Sequence, residues 1–243
     1  MEHEEYNRDT NPYPSFGKKY NGEKAIISMT SWAARIFTCS KTIFSLLKQC
    51  PGFHIVLVLA EEEFPKMTAE LPENLMLFVD NELIELMFVR KNYKSFKKVL
   101  FTMDKYRDVP VISADDDCIY RFNYAQRLYD VWLKNKNCII TAESDHSRDK
   151  ARQFVWSRGP ATLFRPYCFL EYGLKLIPEL NRCINDDAYL CALKDKLHIR
   201  IIDSNLGNLE SNLIFFHDTN SPLSKTYHYS INDFIYFRNT ICS

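Results

Sequence analysis

An unbroken apolar run at residues 54–60, followed by three glutamates, constrains the fold of this chain more than any other stretch. A strand with one face in water would alternate apolar and polar residues, so this run predicts a strand covered on both faces. Residues 24–30 predict an earlier buried strand, and a helical pattern between the two starts at about Ser40 and ends at Pro51-Gly52. Strand, helix and strand in this order predict an α/β fold with a parallel sheet and a right-handed crossover.

Length and composition are those of an ordinary globular protein. The 243 residues fit one large domain or two small ones. The 31 basic residues balance the 31 acidic ones, which argues against a nucleic-acid partner. The eight cysteines have neither zinc-site nor disulfide-framework spacing, so they predict reduced thiols in a cytoplasmic protein. The acidic start does not have the pattern of a signal peptide, and we find no apolar stretch of transmembrane length.

Three consecutive aspartates, Asp115-Asp116-Asp117, directly follow the apolar segment 111–114. Adjacent carboxylates repel one another and favour strands poorly, which indicates a cation held at the carboxyl end of a strand. Mg²⁺ and Mn²⁺ prefer oxygen ligands and take one or two from the protein, the rest coming from water and substrate phosphates. On an extended segment Asp115 and Asp117 point to one side and Asp116 to the other. A solvated acidic turn or a helix N-cap is the alternative interpretation.

Polar residues also follow the other two predicted strands, at 30–32 and at 61–63. In an open parallel sheet the carboxyl ends of the strands meet at one edge, and ligands bind there. The three polar strand ends together therefore favour a nucleotide-sized site at that edge of the sheet.

A predicted helix that opens at residues 92–95 has Lys94, Lys97 and Lys98 in or near its first turn. Cations in that position oppose the helix dipole. A phosphate bound at the helix N-terminus would compensate for them. The alternative is a solvated basic face of the helix.

The C-terminal part of the chain holds three further candidates. Asp186 can cap a helix and Asp187 can complement its dipole, or one of the two carboxylates is a general base aimed into a cleft. His217 is either a metal ligand or a residue at the rim of the core. The aromatic segment 227–237 could form a helix that lies on a bilayer. Such a helix would give the protein peripheral contact with the inner membrane.

Four motifs stand in a definite order along the chain: Ile27-Ser28-Met29-Thr30-Ser31-Trp32 with Arg35-Ile36, then Leu59-Ala60-Glu61-Glu62-Glu63-Phe64-Pro65, then Tyr93-Lys94-Ser95-Phe96-Lys97-Lys98, then Ser113-Ala114-Asp115-Asp116-Asp117-Cys118-Ile119-Tyr120. In this order they resemble bacterial GT-A glycosyltransferases of polysaccharide and lipooligosaccharide biosynthesis clusters, which are family-2-like and contain a D-x-D motif. The resemblance covers residues 24–203. It implies a GT-A, Rossmann-like sheet flanked by helices in one domain at 23–205, with an N-terminal tail at 1–22 and an irregular extension at 206–243 that packs on the domain.

The resemblance also implies a reaction and a site. The reaction moves a hexose from a nucleotide-sugar donor, commonly a uridine diphosphate sugar, to a hydroxyl of a glycan or lipid-linked saccharide acceptor, with inversion and with Mn²⁺ or Mg²⁺ as cofactor. The implied catalytic residues are Asp187 and Asp186. The implied metal ligands are Asp117 and Asp115, and His217 is a third candidate ligand by the hypothesis given above. The implied donor-binding residues are Thr30, Ser31, Arg35, Glu61, Lys94, Ser95, Asp115 and Asp116.

Two other functions fit the same residues. An Asp-nucleophile phosphatase or phosphotransferase would use Asp115 as nucleophile and Asp117 as acid. Such folds usually carry this motif on the first strand, whereas at least two predicted strands precede it here. The other alternative is a non-catalytic protein that binds a nucleotide sugar.

Overall fold

The computed structural model contains one eight-stranded sheet and two short two-stranded sheets within the residues that it describes. The described residues are 12–49, 51–142, 144–145, 156–157, 162–169, 174, 186–204, 213–215, 236–237 and 239–241. The strands are β1 (Ser15–Gly17), β2 (Ala25–Thr30), β3 (Phe53–Ala60), β4 (Glu85–Val89), β5 (Val111–Ala114), β6 (Cys118–Tyr120), β7 (Ile139–Thr141), β8 (Ser144–Asp145), β9 (Trp156–Ser157), β10 (Thr162–Phe164), β11 (Ile201–Asp203) and β12 (Leu213–Phe215).

Most strands of the main sheet run in one direction. Their spatial order is β1-β4-β3-β2-β5-β10-β7-β11, and β4, β3, β2 and β5 are parallel neighbours. β11 is parallel to β7. Only two of the eight strands run the other way, since β1 is antiparallel to β4 and β10 is antiparallel to both β5 and β7. The prediction of a mostly parallel α/β sheet is confirmed.

Helices cover both faces of this sheet. The helices in the described part of the chain are α1 (Cys39–Leu47), α2 (Glu73–Asp80), α3 (Lys97–Lys105), α4 (Tyr124–Leu133) and α5 (Asp186–Lys196), with 3₁₀ turns at Met67–Glu70 and Lys94–Phe96. One core lies between the sheet and α1, α2 and α4, and a second lies between the sheet and α3 and α5. Among the described helices, none has both the length and the apolar character needed to cross a bilayer.

Strand β3 shows how the sequence produces this layered arrangement. All eight of its residues are buried. Successive side chains of a strand point to opposite faces, and accordingly Ile55 and Leu57 lie in one core while Val56 and Val58 lie in the other. Each such side chain contributes roughly 1.5–3 kcal/mol through burial. An unbroken apolar run is therefore stable only between two layers of helices.

The segment predicted as a tail at 1–22 contributes an edge strand to the sheet. β1 pairs with β4, and the Phe16 ring packs edge-on against Phe88 with their centroids 6.1 Å apart. Gly17 ends the strand with φ at +81°, and a Cβ there would lie 2.5 Å from the carbonyl oxygen of Ile84, so glycine is required. A strand of three residues is too short for its periodicity to be visible in the sequence.

Two described parts of the segment at 206–243 contact the domain. β12 pairs with β6 in a two-stranded ribbon. Phe237 and Ile241 are buried in the core beside α5, and the Phe237 ring centroid lies 5.4 Å from that of Tyr189.

A buried ionic network joins the amino ends of β3 and β4. His54 Nε2 donates a hydrogen bond to Oε2 of Glu85 at 2.7 Å, and Lys105 Nζ donates to Oε1 at 2.6 Å. The hydroxyl of Tyr106 also donates to Glu85. Burial by itself would raise the pKa of Glu85, but the hydrogen bond from His54 and then the charge and hydrogen bonds of Lys105 and Tyr106 lower it from 4.5 to about 2.

We expect Glu85→Gln to lower the free energy of unfolding at neutral pH by about 3 kcal/mol, because the folded state holds this carboxylate at a lower pKa than the unfolded chain. A depressed folded-state pKa gives stability that is complete above pH 4.5 and is lost as the pH falls towards 2. Urea unfolding across that range should therefore show a weaker pH dependence for the variant than for the wild type. The exposed Glu73, changed to Gln, is the matched control, and identical pH profiles for wild type and Glu85→Gln would contradict the prediction.

Candidate active site

The carboxyl ends of β2, β3, β4 and β5 lie side by side, because these strands are parallel neighbours. The loops that follow them carry residues 30–35, 61–63, 90–96 and 115–117. The prediction that the polar strand ends meet at one edge of the sheet is confirmed. The start of α5 reaches the same edge, since a carboxylate of that helix lies within ion-pair distance of α3.

The three aspartates form a turn between β5 and β6 rather than an extended segment. Arg35 Nη1 donates to Asp116 Oδ1 at 2.7 Å and to Asp117 Oδ2 at 3.0 Å. Ser31 Oγ donates to the other carboxylate oxygen of Asp116 at 2.6 Å. The prediction that Asp115 and Asp117 share one side and Asp116 takes the other is wrong, because the turn brings Asp116 and Asp117 to one guanidinium group.

Buried hydroxyl groups hold this acidic turn on the core. The Thr42 hydroxyl lies 3.0 Å from the carbonyl oxygen of Asp116 and 2.8 Å from that of Cys118, and donates its proton to one of them at a time. The backbone N–H of Asp115 donates to the hydroxyl oxygen of Tyr120 at 2.8 Å. Thr42 and Tyr120 are both buried, so the backbone of the turn is fixed from the protein side.

The three carboxylates differ in how much of each side chain a ligand can reach. Asp116 is only 6% exposed, and burial raises its pKa against the opposing effects of Arg35 and Ser31. Both of its carboxylate oxygens already accept hydrogen bonds, so here it anchors the loop after β2. The side chains of Asp115 and Asp117 keep 29% and 18% of their surface exposed, and they are the two that a ligand can reach.

Lys98 connects the acidic turn with the second acidic pair. Its Nζ donates to Asp115 Oδ1 at 2.6 Å and lies 3.4 Å from Asp186 Oδ2. The second contact is an ion pair without hydrogen-bond geometry, since Asp186 Oδ2 accepts no hydrogen bond from the described residues. Burial lowers the pKa of Lys98, but Asp115, followed by Asp186 and Asp187, outweighs it and raises the pKa well above the ordinary lysine value. This buried lysine therefore stays charged.

Sequence reasoning missed this role of Lys98, because it predicted either a bound phosphate or a solvated basic face. The structure shows that carboxylates of the protein itself compensate for the cations at the start of α3. Lys98 pairs with Asp115, and Lys97, which is also buried, donates to Glu63 Oε2 at 3.2 Å. The sequence did contain a signal for these pairs, because lysines at a helix N-terminus oppose the helix dipole and therefore require negative partners.

Two donor-binding candidates lie directly at strand ends. Thr30 ends β2, and its hydroxyl donates to the carbonyl oxygen of Val58 at 2.7 Å. Glu61 follows β3, and its backbone N–H donates to the carbonyl oxygen of Val89 at 2.9 Å. Both residues are half-buried at the edge that carries the acidic turn.

The candidates Lys94 and Ser95 lie in the 3₁₀ turn before α3, which Asn92 organises. The Asn92 side-chain oxygen accepts from the backbone N–H of Lys94 at 2.9 Å and from Lys97 Nζ at 2.8 Å. The backbone N–H of Asn92 donates to Glu62 at 2.8 Å, which attaches this loop to the one after β3. Lys94 itself is exposed, with φ at +50°. Sequence reasoning did not single out Asn92.

The acidic pair at the start of α5 consists of two unequal residues. Asp186 is 8% exposed, whereas Asp187 is half-buried. Both stand in the first turn, where negative charge complements the helix dipole. His217 and most of the aromatic segment at 227–237 lie outside the described residues.

Comparisons with known proteins identify the fold. No protein-family model matches the sequence, and no curated protein matches it. The apo-form glycosyltransferase GlyE of Streptococcus pneumoniae superposes with a TM-score of 0.52 at 12% identity, over 92% of this chain and 61% of that one. The mannosyltransferase PcManGT of Pyrobaculum calidifontis, in complex with GDP-Man and Mn²⁺, gives a TM-score of 0.50 at 9% identity, over 79% of this chain and 58% of that one. This chain has the fold of these glycosyltransferases.

The shared fold confirms the Rossmann-like, GT-A-type architecture that the resemblance implied. The match spans about three-fifths of the length of each of these two proteins. At 12% and 9% identity the similarity is one of backbone arrangement.

The charge balance of the site fits a divalent cation. Among the described residues, the carboxylates at 115–117 and 186–187 outnumber the cations near them, which are Arg35, Lys98 and, close to Asp116, Lys97. A diphosphate would be repelled by this excess unless positive charge were added. Within the described ranges no three His, Cys, Asp or Glu side chains are placed to hold an ion by themselves. Mg²⁺ and Mn²⁺ need only one or two carboxylates when phosphates complete the shell, and the partly exposed Asp115 and Asp117 can provide them.

We expect Lys98→Met to lower the free energy of unfolding by about 3–5 kcal/mol, because two carboxylates then face each other without their cation. The residual exposure of Asp115 favours the lower end of that range. Lys98→Arg keeps the charge and should retain most of the stability. Urea denaturation of both variants measures the difference, and a loss of less than about 1 kcal/mol in the Met variant would show that this ion pair contributes little.

Proposed function

We propose that this protein is a divalent-metal-dependent glycosyltransferase. It moves a hexose from a uridine diphosphate sugar to a hydroxyl of a glycan or lipid-linked saccharide acceptor, with inversion at the anomeric carbon. The observation that carries the proposal is the link from Asp115 through Lys98 to Asp186, which brings carboxylates from two distant segments together at the carboxyl edge of the sheet. The fold shared with GlyE and with PcManGT, whose complex contains GDP-Man and Mn²⁺, supports this class of reaction.

The donor side of the proposed site is built on the acidic turn. Asp115 and Asp117 would hold the cation, which would offset the negative charge on the departing diphosphate. Arg35 keeps the turn in place through Asp116 and Asp117, so the two exposed carboxylates are oriented before the donor arrives. The nucleotide lies along the neighbouring loops, next to the donor-binding candidates Thr30, Ser31, Glu61, Lys94 and Ser95.

The acceptor side of the proposed site is the start of α5. Asp187 is the general base, since its side chain is half-buried whereas Asp186 is only 8% exposed. Asp187 takes the proton of the acceptor hydroxyl while the hydroxyl oxygen forms a bond to the anomeric carbon. The bond from that carbon to the diphosphate breaks, and its electron pair leaves with the diphosphate. Attack from the side opposite to the leaving group inverts the configuration.

The two alternative functions are not favoured by any observation. A phosphatase that uses Asp115 as nucleophile would place this residue after the first strand of its sheet, whereas four strands precede β5 in this chain. Asp115 is also held by the ammonium group of Lys98. Enzymatic release of free uridine diphosphate from a sugar donor would argue against both the phosphatase and the non-catalytic binding protein.

The proposed donor can be tested by thermal unfolding. We expect uridine diphosphate with Mn²⁺ to raise the melting temperature more than guanosine or cytidine diphosphate does. A ligand at about one hundred times its Kd stabilises the folded state by about 2.7 kcal/mol, which corresponds to a shift of several degrees. The stabilising nucleotide is then offered as a sugar donor, and free nucleoside diphosphate is measured with and without chelator. Equal shifts for all three nucleotides would remove the basis for uridine, and no shift with any of them would contradict the nucleotide site.

A further inference from the structure

Two adjacent buried lysines at the start of α3 hold different loops at the carboxyl edge of the sheet. Neighbouring side chains of a helix point about 100° apart, so those of Lys97 and Lys98 diverge. Lys98 reaches the acidic turn after β5 and the start of α5. Lys97 reaches the loops after β3 and β4 instead, through Glu63 and Asn92. The edge therefore has two parts, each of which is organised by one lysine.

Lys97 joins the loops after β3 and β4 through a set of hydrogen bonds. Its Nζ donates to Glu63 Oε2 at 3.2 Å and to the side-chain oxygen of Asn92 at 2.8 Å. The backbone N–H of Asn92 donates to Glu62 in the loop after β3 at 2.8 Å. The same side-chain oxygen of Asn92 also accepts from the backbone N–H of Lys94. The two loops are thus bonded to each other, and Lys97 contacts both of them.

The ammonium group of Lys97 lies beneath these loops rather than at their surface. Its side chain is only 1% exposed, so a bound ligand cannot contact it unless the loops move. A lysine is almost never buried to this extent without partners, and here the partners are Glu63 and Asn92. Any effect of Lys97 on a ligand is therefore transmitted through the conformation of the two loops.

The two loops lie beside the acidic turn along the same edge of the sheet. The strands in question are neighbours in the order β4-β3-β2-β5. Strands in a sheet are about 4.8 Å apart, so the ends of β3 and β4 lie roughly 10 and 14 Å from the end of β5. The proposed function puts the diphosphate at the acidic turn and the acceptor at the start of α5. The nucleoside then extends over the loops after β3 and β4, which carry Glu61, Lys94 and Ser95.

We propose that Lys97 is a positioning residue that determines which nucleobase the donor site accepts. This inference rests on the proposed function, because it assumes that a nucleotide binds at this edge. Loops that are held in one arrangement bind a matching ligand without an ordering cost. They also leave buried polar groups unpaired against a base that does not match, which is how such sites discriminate. Without Lys97 the spacing of the two loops can vary, so different bases are accommodated about equally.

The test compares the dissociation constants of uridine, guanosine and cytidine diphosphate, measured by calorimetric titration with Mn²⁺ present. The diphosphate and the cation are common to all three ligands, so the ratios between the constants report the nucleoside alone. We expect the wild type to bind one nucleotide, uridine diphosphate, at least about tenfold more tightly than the others, an effect of the size that one or two hydrogen bonds provide. Lys97→Met should bind all three within about threefold of one another, because the loops no longer discriminate.

Lys105→Met is the matched control for this test. Lys105 lies on the same helix, and its Nζ donates to Glu85 at the amino edge of the sheet. The control therefore removes a paired lysine of α3 and lowers stability, but it does not affect the loops after β3 and β4, and its ratios should equal those of the wild type. Circular dichroism verifies the fold of each variant. If Lys97→Met does not fold, Asn92→Ala takes its place, since it removes the oxygen through which Lys97 reaches the loop after β4.

The possible outcomes separate this inference from the proposed function. Undiminished discrimination by folded Lys97→Met, or by Asn92→Ala in its place, overturns the inference and leaves the proposed function standing. An equal loss of discrimination in Lys105→Met also overturns it, because lowered stability would then account for the effect. A wild type that binds no nucleoside diphosphate contradicts both the inference and the proposed function. A wild type that binds all three equally contradicts the inference and the choice of uridine, but not nucleotide binding.

Discussion

Asp187→Asn is expected to slow glycosyl transfer by about 10²–10⁴-fold with little change in donor affinity, the usual effect of removing a general base. The structural reason is exposure, because Asp187 is half-buried at the start of α5 while Asp186 is enclosed beside Lys98. The rate is measured with the donor identified by thermal shift, and the donor affinity is measured by titration of the same variant.

Asp186→Asn is the matched control for this prediction. It removes a carboxylate from Lys98 and from the first turn of α5, so the melting temperature should fall while the folded fraction turns over within a few-fold of the wild type. If neither variant loses more than a few-fold in rate, the base lies elsewhere. A product that retains the anomeric configuration of the donor would also contradict an inverting mechanism.

Asp117→Asn is expected to abolish transfer and to remove the Mn²⁺-dependent part of the nucleotide-induced thermal shift. The amide has the shape of the carboxylate but not its charge, and hard divalent cations bind carboxylate oxygens far better. The fold should survive, because the Asp117 side chain is partly exposed and its Oδ2 is a secondary acceptor for Arg35, whose shorter hydrogen bond goes to Asp116.

Asp116→Asn distinguishes a metal ligand from an anchor in the same turn. Asp116 is buried and accepts from both Ser31 and Arg35, so its replacement should lower the melting temperature more than that of Asp117 does.

Transfer at the wild-type rate by Asp117→Asn in the presence of chelator would show that the cation is not required.

The sheet could be predicted from the sequence because its interior strands are apolar on both faces. The run at 54–60 became β3, and the segments at 24–30 and 111–114 became its parallel neighbour β2 and the next strand β5. The edge strand β1 was assigned to a tail, since a strand of three residues leaves no periodic signal in the sequence.

The edge of the sheet that carries the site could also be predicted, but the pairing of charges within it could not. Polar residues after three strands indicated where a ligand would bind, and those strand ends do meet. Hydrophobic periodicity, however, reports only the burial of apolar side chains, so it gave no reason to expect a buried Lys98. The conformation of the acidic turn was predicted wrongly for a related reason, because it depends on Ser31, Arg35 and Thr42, which are distant from the turn in the sequence.

The ion pairs at the two ends of α3 have a mechanical consequence. Lys98 at its start is joined to Asp115 at the carboxyl edge of the sheet, and Lys105 at its end is joined to Glu85 at the amino edge. A helix attached at both edges acts as a strut of fixed length, because sliding it along the strands would break one ion pair or the other. A ligand that reaches the exposed part of Asp115 therefore meets a helix that is already anchored at both edges of the sheet.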